Sequence, residues 1–160
     1  MRNEAVPSKV NVGGARNIAR KLLKDANAAE IPIYLPKILS YLKTQHDLEV
    51  LRFPLGAVDG LLVMIDGYPT IGFNPDVSWV RRRFTIAHEI GHLLLGHVCK
   101  GPAFEDNPEA EANQFAAELL MPLSFLKADF KKECDLEKLS EKYIVSKDAL
   151  CLHLMECRIL

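Results

Sequence analysis

Histidine is scarce in this 160-residue chain, five in all, and three of the five fall between positions 88 and 97. Two of them frame the stretch His88-Glu89-Ile90-Gly91-His92. On a helix, residues four apart share a face with Cβ atoms about 5–6 Å apart, so both imidazoles can reach one cation. Glu89 is turned about 100° away from His88. It is poorly placed to bind the same ion but well placed to reach a water that the ion holds. Two ligands and a base on one turn are what hydrolysis by a zinc-activated water needs. Two core histidines would give the same spacing by chance, and the clustering of histidine argues against that.

With His88 at zero on a helical wheel, Arg81 falls at about +20°, His92 at about +40° and Thr85 at about +60°. Ile86, Ile90 and Leu93 fall between about 140° and 200°. The helix therefore has a polar stripe and an apolar back. His97 would fall about 180° from His88, which excludes it as a co-ligand. Arg81 shares the histidine face and is a candidate to pair with a carboxylate of the site or of a substrate. The rest of Arg81-Arg82-Arg83 is read as a solvated face.

A catalytic zinc site usually has three protein ligands and a water. The segment after the histidines supplies acids: Glu105, Asp106, Glu109, Glu111 and Glu118. Ala112, Phe115, Ala116, Leu119 and Leu120 form an apolar stripe there at helical spacing. Glu109 lies three before Ala112, inside the arc of that stripe, whereas Glu111, Gln114 and Glu118 lie outside it. An inward carboxylate wants a partner, and a metal would satisfy it. Glu109 is the expected third ligand, with Glu111 the fallback. A helix-dipole role explains Glu111 well enough. Asn113, four after Glu109, is a candidate to hold a ligand from behind.

The histidine helix is expected over about 77–96, capped by Asp76 or Ser78 and ended by Gly96. A breaker-rich loop over 97–107 leads to a helix that starts near Pro108 and stops before Pro122. Upstream, helices are expected over 15–29 and 36–46. Strands are expected at 48–53, 61–65 and 70–73, with Asp66-Gly67 as a hairpin turn. Pro69 argues that the third strand is an edge or starts late. An exposed edge at Thr70–Phe73 would suit strand addition by an extended substrate. Further helices follow at 123–132, 135–143 and 146–157. The order is that of an α+β fold. Residues 1–14 are read as a flexible lead-in and 15–160 as one domain, with 135–160 as a helical cap.

Net charge is −1, which gives no reason to expect a polyanion partner. No apolar run approaches a membrane span, and the first residues lack the apolar core of a secretory signal. The cysteines Cys99, Cys134, Cys151 and Cys157 form no metal or disulfide pattern and suit a reducing cytoplasm. The last two helices have a helix-turn-helix rhythm. Residues 135–160 carry four Lys/Arg against five Asp/Glu, so direct nucleic-acid binding is not expected and a packing or docking role is.

Arg83-Phe84-Thr85-Ile86-Ala87-His88-Glu89-Ile90-Gly91-His92 and the later block Glu109-Ala110-Glu111-Ala112-Asn113-Gln114-Phe115-Ala116-Ala117-Glu118-Leu119-Leu120-Met121-Pro122 closely resemble the ImmA/IrrE family of metallo-endopeptidases. The resemblance covers roughly 15–160. It implies a zincin-like, gluzincin-type core with a small, mostly antiparallel sheet packed on the motif helix. It further implies His88, His92 and Glu109 as zinc ligands, Glu89 as catalytic base, and cleavage of a regulator, often a helix-turn-helix repressor. A metal-dependent module that sequesters a regulator without cutting it is the alternative.

Overall fold

The computed structural model describes residues 10–54, 56–97 and 106–160. Helices α1 (Val12–Asp25) and α2 (Leu35–His46) precede strands β1 (Glu49–Arg52), β2 (Gly60–Ile65) and β3 (Tyr68–Phe73). Then come α3 (Trp79–Leu94), α4 (Asp106–Leu120), α5 (Leu123–Lys132), α6 (Leu136–Tyr143) and α7 (Lys147–Glu156). Among the described residues the fold is α+β, with seven helices and one mixed three-stranded sheet. Of the expected lead-in, residues 1–9 lie outside the described residues and 12–14 already belong to α1. Cys99 and most of the expected 97–107 loop also lie outside them.

The strand order is β1-β3-β2. β3 pairs in parallel with β1, from Glu49↔Thr70 to Arg52↔Phe73, and antiparallel with β2, from Gly60↔Phe73 to Ile65↔Tyr68. The turn between β2 and β3 has φ of 50° at Asp66 and 84° at Gly67, the left-handed pair that such a tight hairpin needs. The expectation of a mostly antiparallel sheet with Thr70–Phe73 at its edge is therefore wrong. β3 is the central strand, and β1 and β2 block strand addition on both of its sides. Pro69 is tolerated there because Met64↔Pro69 follows the hydrogen-bonded pair at the turn and is a position without ladder bonds to β2. On the other side the pairing with β1 starts only at Thr70.

α3 begins at Ser78, whose hydroxyl accepts from the Arg81 amide at 3.3 Å. Its apolar back, Ile86, Ala87 and Ile90, enters a core shared with Ala15, Ala19, Leu22 and Leu23 of α1 and Phe115, Leu119 and Leu120 of α4. The three arginines at its start part company. Arg81 pairs with Asp59 at the surface. Arg82 donates to the carbonyls of Pro75 and Val77, at 2.7 and 3.3 Å. Arg83 is buried and donates to the carbonyls of Ile33 (2.9 Å) and Ile144 (3.2 Å). The reading of a solvated run thus fails at Arg83. That guanidinium ties α3 to the α1–α2 connection and to the end of α6.

α4 departs from a simple amphipathic helix. Gln114 and Glu118, expected on its outer face, are both buried. Arg16 and Arg20 of α1 reach over them: Gln114 Oε1 accepts from Arg16 Nη2 at 2.8 Å, and Glu118 Oε1 accepts from Arg20 Nε at 2.8 Å. Glu118 Oε1 also accepts from the Leu123 amide at 3.2 Å, closing the step into α5.

His153 of α7 is buried against the same group, with Nε2–H donating to the Met121 carbonyl at 3.1 Å. Burial first, and then the nearby Arg16 charge, hold its pKa down at about 4. The ring is neutral near pH 7, so its 3.6 Å approach to Glu118 is not an ion pair. On acidification the unfolded chain takes up this proton first, near its ordinary pKa of about 6.5. Stability from this group is complete above that pH and is lost as pH falls towards about 4. Denaturant titrations of the metal-free protein should show a loss of about 3 kcal/mol across that window from this residue. His153→Gln should flatten the slope, and an unchanged slope would remove the assignment.

Candidate metal centre

The helix α3 presents His88 and His92 one turn apart, as residues four apart on one face must be. Their Nε2 atoms lie 3.0 Å from each other. α4 brings Glu109 to the same point: Oε2 is 3.1 Å from His88 Nε2, and Oε1 is 3.0 Å from His92 Nε2. One donor atom from each of the three residues lies within 4.8 Å of the others, a group that could hold a metal ion. Two imidazole nitrogens and a carboxylate suit zinc chemically, which in catalytic sites commonly takes a water as its fourth ligand. Behind His88, Asn113 Oδ1 accepts from Nδ1 at 2.8 Å, so the bare lone pair is the one on Nε2.

Charge is handled differently at each residue. Burial, then the neighbouring His88, lower the His92 pKa to about 4 despite the opposing pull of Glu109. The ring is neutral near pH 7, the form that binds a cation. Glu89 is buried, and burial followed by the Glu109 charge raise its carboxyl to about 7. It sits on the wall of the cleft that also contains His88, Glu109 and Asn113. Its neighbour across the cleft is Gly60 at the start of β2. A Cβ there would collide with Thr85 Cγ2 and lie 3.5 Å from Glu89 Cγ. The missing side chain lets the sheet close against α3 beside Glu89.

The chain matches the family described as Peptidase_M78, the IrrE N-terminal-like domain, over residues 43–155. It belongs to that family. Among curated proteins no match is found. Among solved structures the chain is similar to a Mycobacterium tuberculosis transcriptional regulator, with a TM-score of 0.72 at 14% identity. The likeness covers 88% of this chain and 46% of that one, so the chain spans less than half the length of that structure.

In this IrrE-like domain the helices meet closely at one point. A Cβ on Gly91, between the two histidines, would lie 3.0 Å from Phe115 Cδ1 and 3.3 Å from the Ala112 Cα. The second neighbour is backbone and cannot swing aside. This contact sets how near Glu109 can come to α3.

The site residues named from sequence are thus gathered: His88, His92, Glu109 and Asn113 meet, and Glu89 lines the same cleft. Arg81 lines that cleft as well, but its partner is Asp59. Glu109 is not the inward carboxylate that the apolar stripe predicts, since its side chain is 56% exposed. It faces the cleft and not the core. Glu111 points elsewhere, with Oε2 3.0 Å from His97 Nε2 and Oε1 accepting from the Asn11 amide at 3.0 Å. A dipole role therefore does not account for it.

A continued helix would carry His97 away from His88. The helix ends earlier. Gly96 adopts φ of 73°, its amide donates to the Leu93 carbonyl at 3.3 Å, and the His97 amide donates to the His92 carbonyl at 2.9 Å. This Schellman reversal folds His97 back over His92, so that their Nδ1 atoms are 3.2 Å apart. The signal was present in Gly96, which marks such an ending, but the wheel does not follow a chain past its reversal.

Gly91→Ala should force α3 and α4 apart, costing about 1–3 kcal/mol in unfolding free energy. It should also weaken metal uptake by the metal-free protein, read by chelator competition. Unchanged values of both would mean that the contact relaxes without moving Glu109.

Proposed function

We propose that this chain is a zinc-dependent endopeptidase that hydrolyses a peptide bond in a protein regulator, with a helix-turn-helix transcriptional repressor as the substrate class. The observation that carries the reading is the convergence of His88, His92 and Glu109 beside the buried carboxyl of Glu89. His88, His92 and Glu109 would hold the ion. When bound, zinc acidifies a water and polarises a carbonyl as a Lewis acid. Glu89 is the base: its carboxylate takes the proton of the attacking water and returns it to the leaving amine. A carboxyl held near neutrality by burial suits both halves of that task. Asn113 holds the His88 ring in its orientation.

A regulatory substrate is supported by membership in the family and by the similar structure, which is itself a transcriptional regulator. A cytoplasmic setting is supported by Cys134, Cys151 and Cys157, all free thiols. No helix of the described residues is long and apolar enough to cross a membrane.

A groove of about 750 Å³ continues from the cleft between α3, α4 and α7. Arg81, Phe84, Thr85, Asp59 and Asn113 line both. Leu152 of α7, largely exposed, forms part of its far wall, with Asp148 and Glu156 on the same helix. The helical cap thus supplies a wall on which apolar side chains of a substrate can rest.

Glu89→Gln should keep zinc uptake near that of the parent while lowering the cleavage rate of a repressor substrate by at least about a hundredfold. A variant that cuts as well as the parent would remove the mechanism. One that still relieves repression without cutting would mean that the chain holds its partner and does not cleave it. Leu152→Arg should lower kcat/KM on the protein substrate by about tenfold with zinc content unaffected, and equal cleavage would exclude the α7 wall from substrate binding.

A further inference from the structure

A chain of polar contacts leads away from the proposed ligand His92: its Nδ1 meets His97 Nδ1 at 3.2 Å, and His97 Nε2 meets Glu111 Oε2 at 3.0 Å. His97 and Glu111 are 14% and 18% exposed at their side chains, so water competes little for these contacts. The carboxylate has no proton to give, which fixes the direction of the first bond and, with both rings neutral, of the bond behind it. His97 must donate from Nε2 to Glu111. A neutral His97 then has a bare lone pair on Nδ1, and only a donor can face it. That donor is Nδ1–H of His92. A neutral His92 with its proton on Nδ1 has a bare Nε2, and Nε2 is the atom that faces His88 and Glu109.

We propose that His97 and Glu111 are positioning residues of the metal centre, fixing the tautomer and ring angle of His92 so that its Nε2 is always ready to bind the ion. The inference rests on the metal centre proposed above. The backbone is built to serve it. In a Schellman ending, the residue after the left-handed glycine commonly packs an apolar side chain on the helical residue two before the last. Here those positions are His97 and His92, and a hydrogen bond between rings takes the place of the apolar contact. Glu111 is held from the far side, because its second oxygen accepts the Asn11 amide at the start of α1. His88 is arranged by a shorter device with the same outcome, the single carbonyl oxygen of Asn113. The two histidine ligands therefore share a polarity set from outside the centre, one by an amide and one by a histidine–carboxylate pair.

The pair can be tested on the full chain stripped of metal. Glu111→Gln retains an oxygen for the Asn11 amide but offers an amide donor to His97, which reverses the required direction. Zinc affinity, measured by competition with a chromophoric chelator, should fall by about 10–100-fold in Glu111→Gln and in His97→Ala. The double variant should be no worse than His97→Ala, because both changes break one chain. Nitrogen-15 spectra of the metal-free protein should show His92 protonated on Nδ1 in the parent and shifted towards Nε2 in both variants, a change that loss of mere packing would not produce. Parent-like zinc affinity in both single variants, within about twofold, would overturn the proposal, as would a parent His92 protonated on Nε2. A parent chain that takes up no zinc would instead remove the metal-centre reading, and the proposal with it.

Discussion

The centre depends on a close approach between two helices that has almost no tolerance. Gly91 rests on the ring of Phe115 and the backbone of Ala112. Close packing of this kind transmits any change in one element to the other, because the interior has no slack to absorb it. Glu109 lies one turn before Ala112, so the contact that fixes Ala112 also fixes the height of Glu109 along α3. The ligand atoms, lone pairs facing one another, do not draw the helices together without an ion. The apolar contact sets the distance, and the chemistry follows from it.

Most of the site could be read in the chain because it obeys local periodicity. His88 and His92 are related by one helical turn, and Glu109 and Asn113 by another. Ser78 caps α3 with its hydroxyl, and Gly96 ends it with the left-handed turn that a missing side chain allows. The failures share a cause: each depends on what lies across from the element. Thr70–Phe73 has the proline of an edge strand, yet β1 and β2 enclose it, since Pro69 happens to occupy a position with no ladder bond to give up. Gln114 and Glu118 look like an outer face, yet α1 covers them with two arginines. Arg83 looks like part of a solvated run, yet two carbonyls from distant segments receive it inside the protein. His97 lay beyond a reversal that wheel geometry cannot follow.

Two kinds of polar group coexist in the interior. Those around the cleft have their charge displaced towards neutrality: His92 is held unprotonated, and Glu89 is raised to about 7. Those between α1, α4 and α7 are held by partners of opposite sign or by carbonyls. The first kind sheds its charge near neutral pH, and of the two Glu89 alone is placed to change its protonation there. The second fixes the frame that keeps the first in place, and an apolar core alone would not specify that frame as narrowly.

The family match begins at residue 43, inside α2, whereas the arginines that answer Gln114 and Glu118 lie in α1. Glu118 is 1% exposed, and one of its oxygens has no hydrogen-bond partner among the described residues even with α1 in place. A fragment cut to the matched residues would retain that carboxylate and lose its counter-charge, along with the apolar stripe of Ala15, Ala19 and Leu22. The matched residues alone therefore leave part of their core and one buried charge without the partners that α1 supplies. Modularity here follows electrostatic completeness, with α1 serving as a built-in counterion for the helix that bears Glu109.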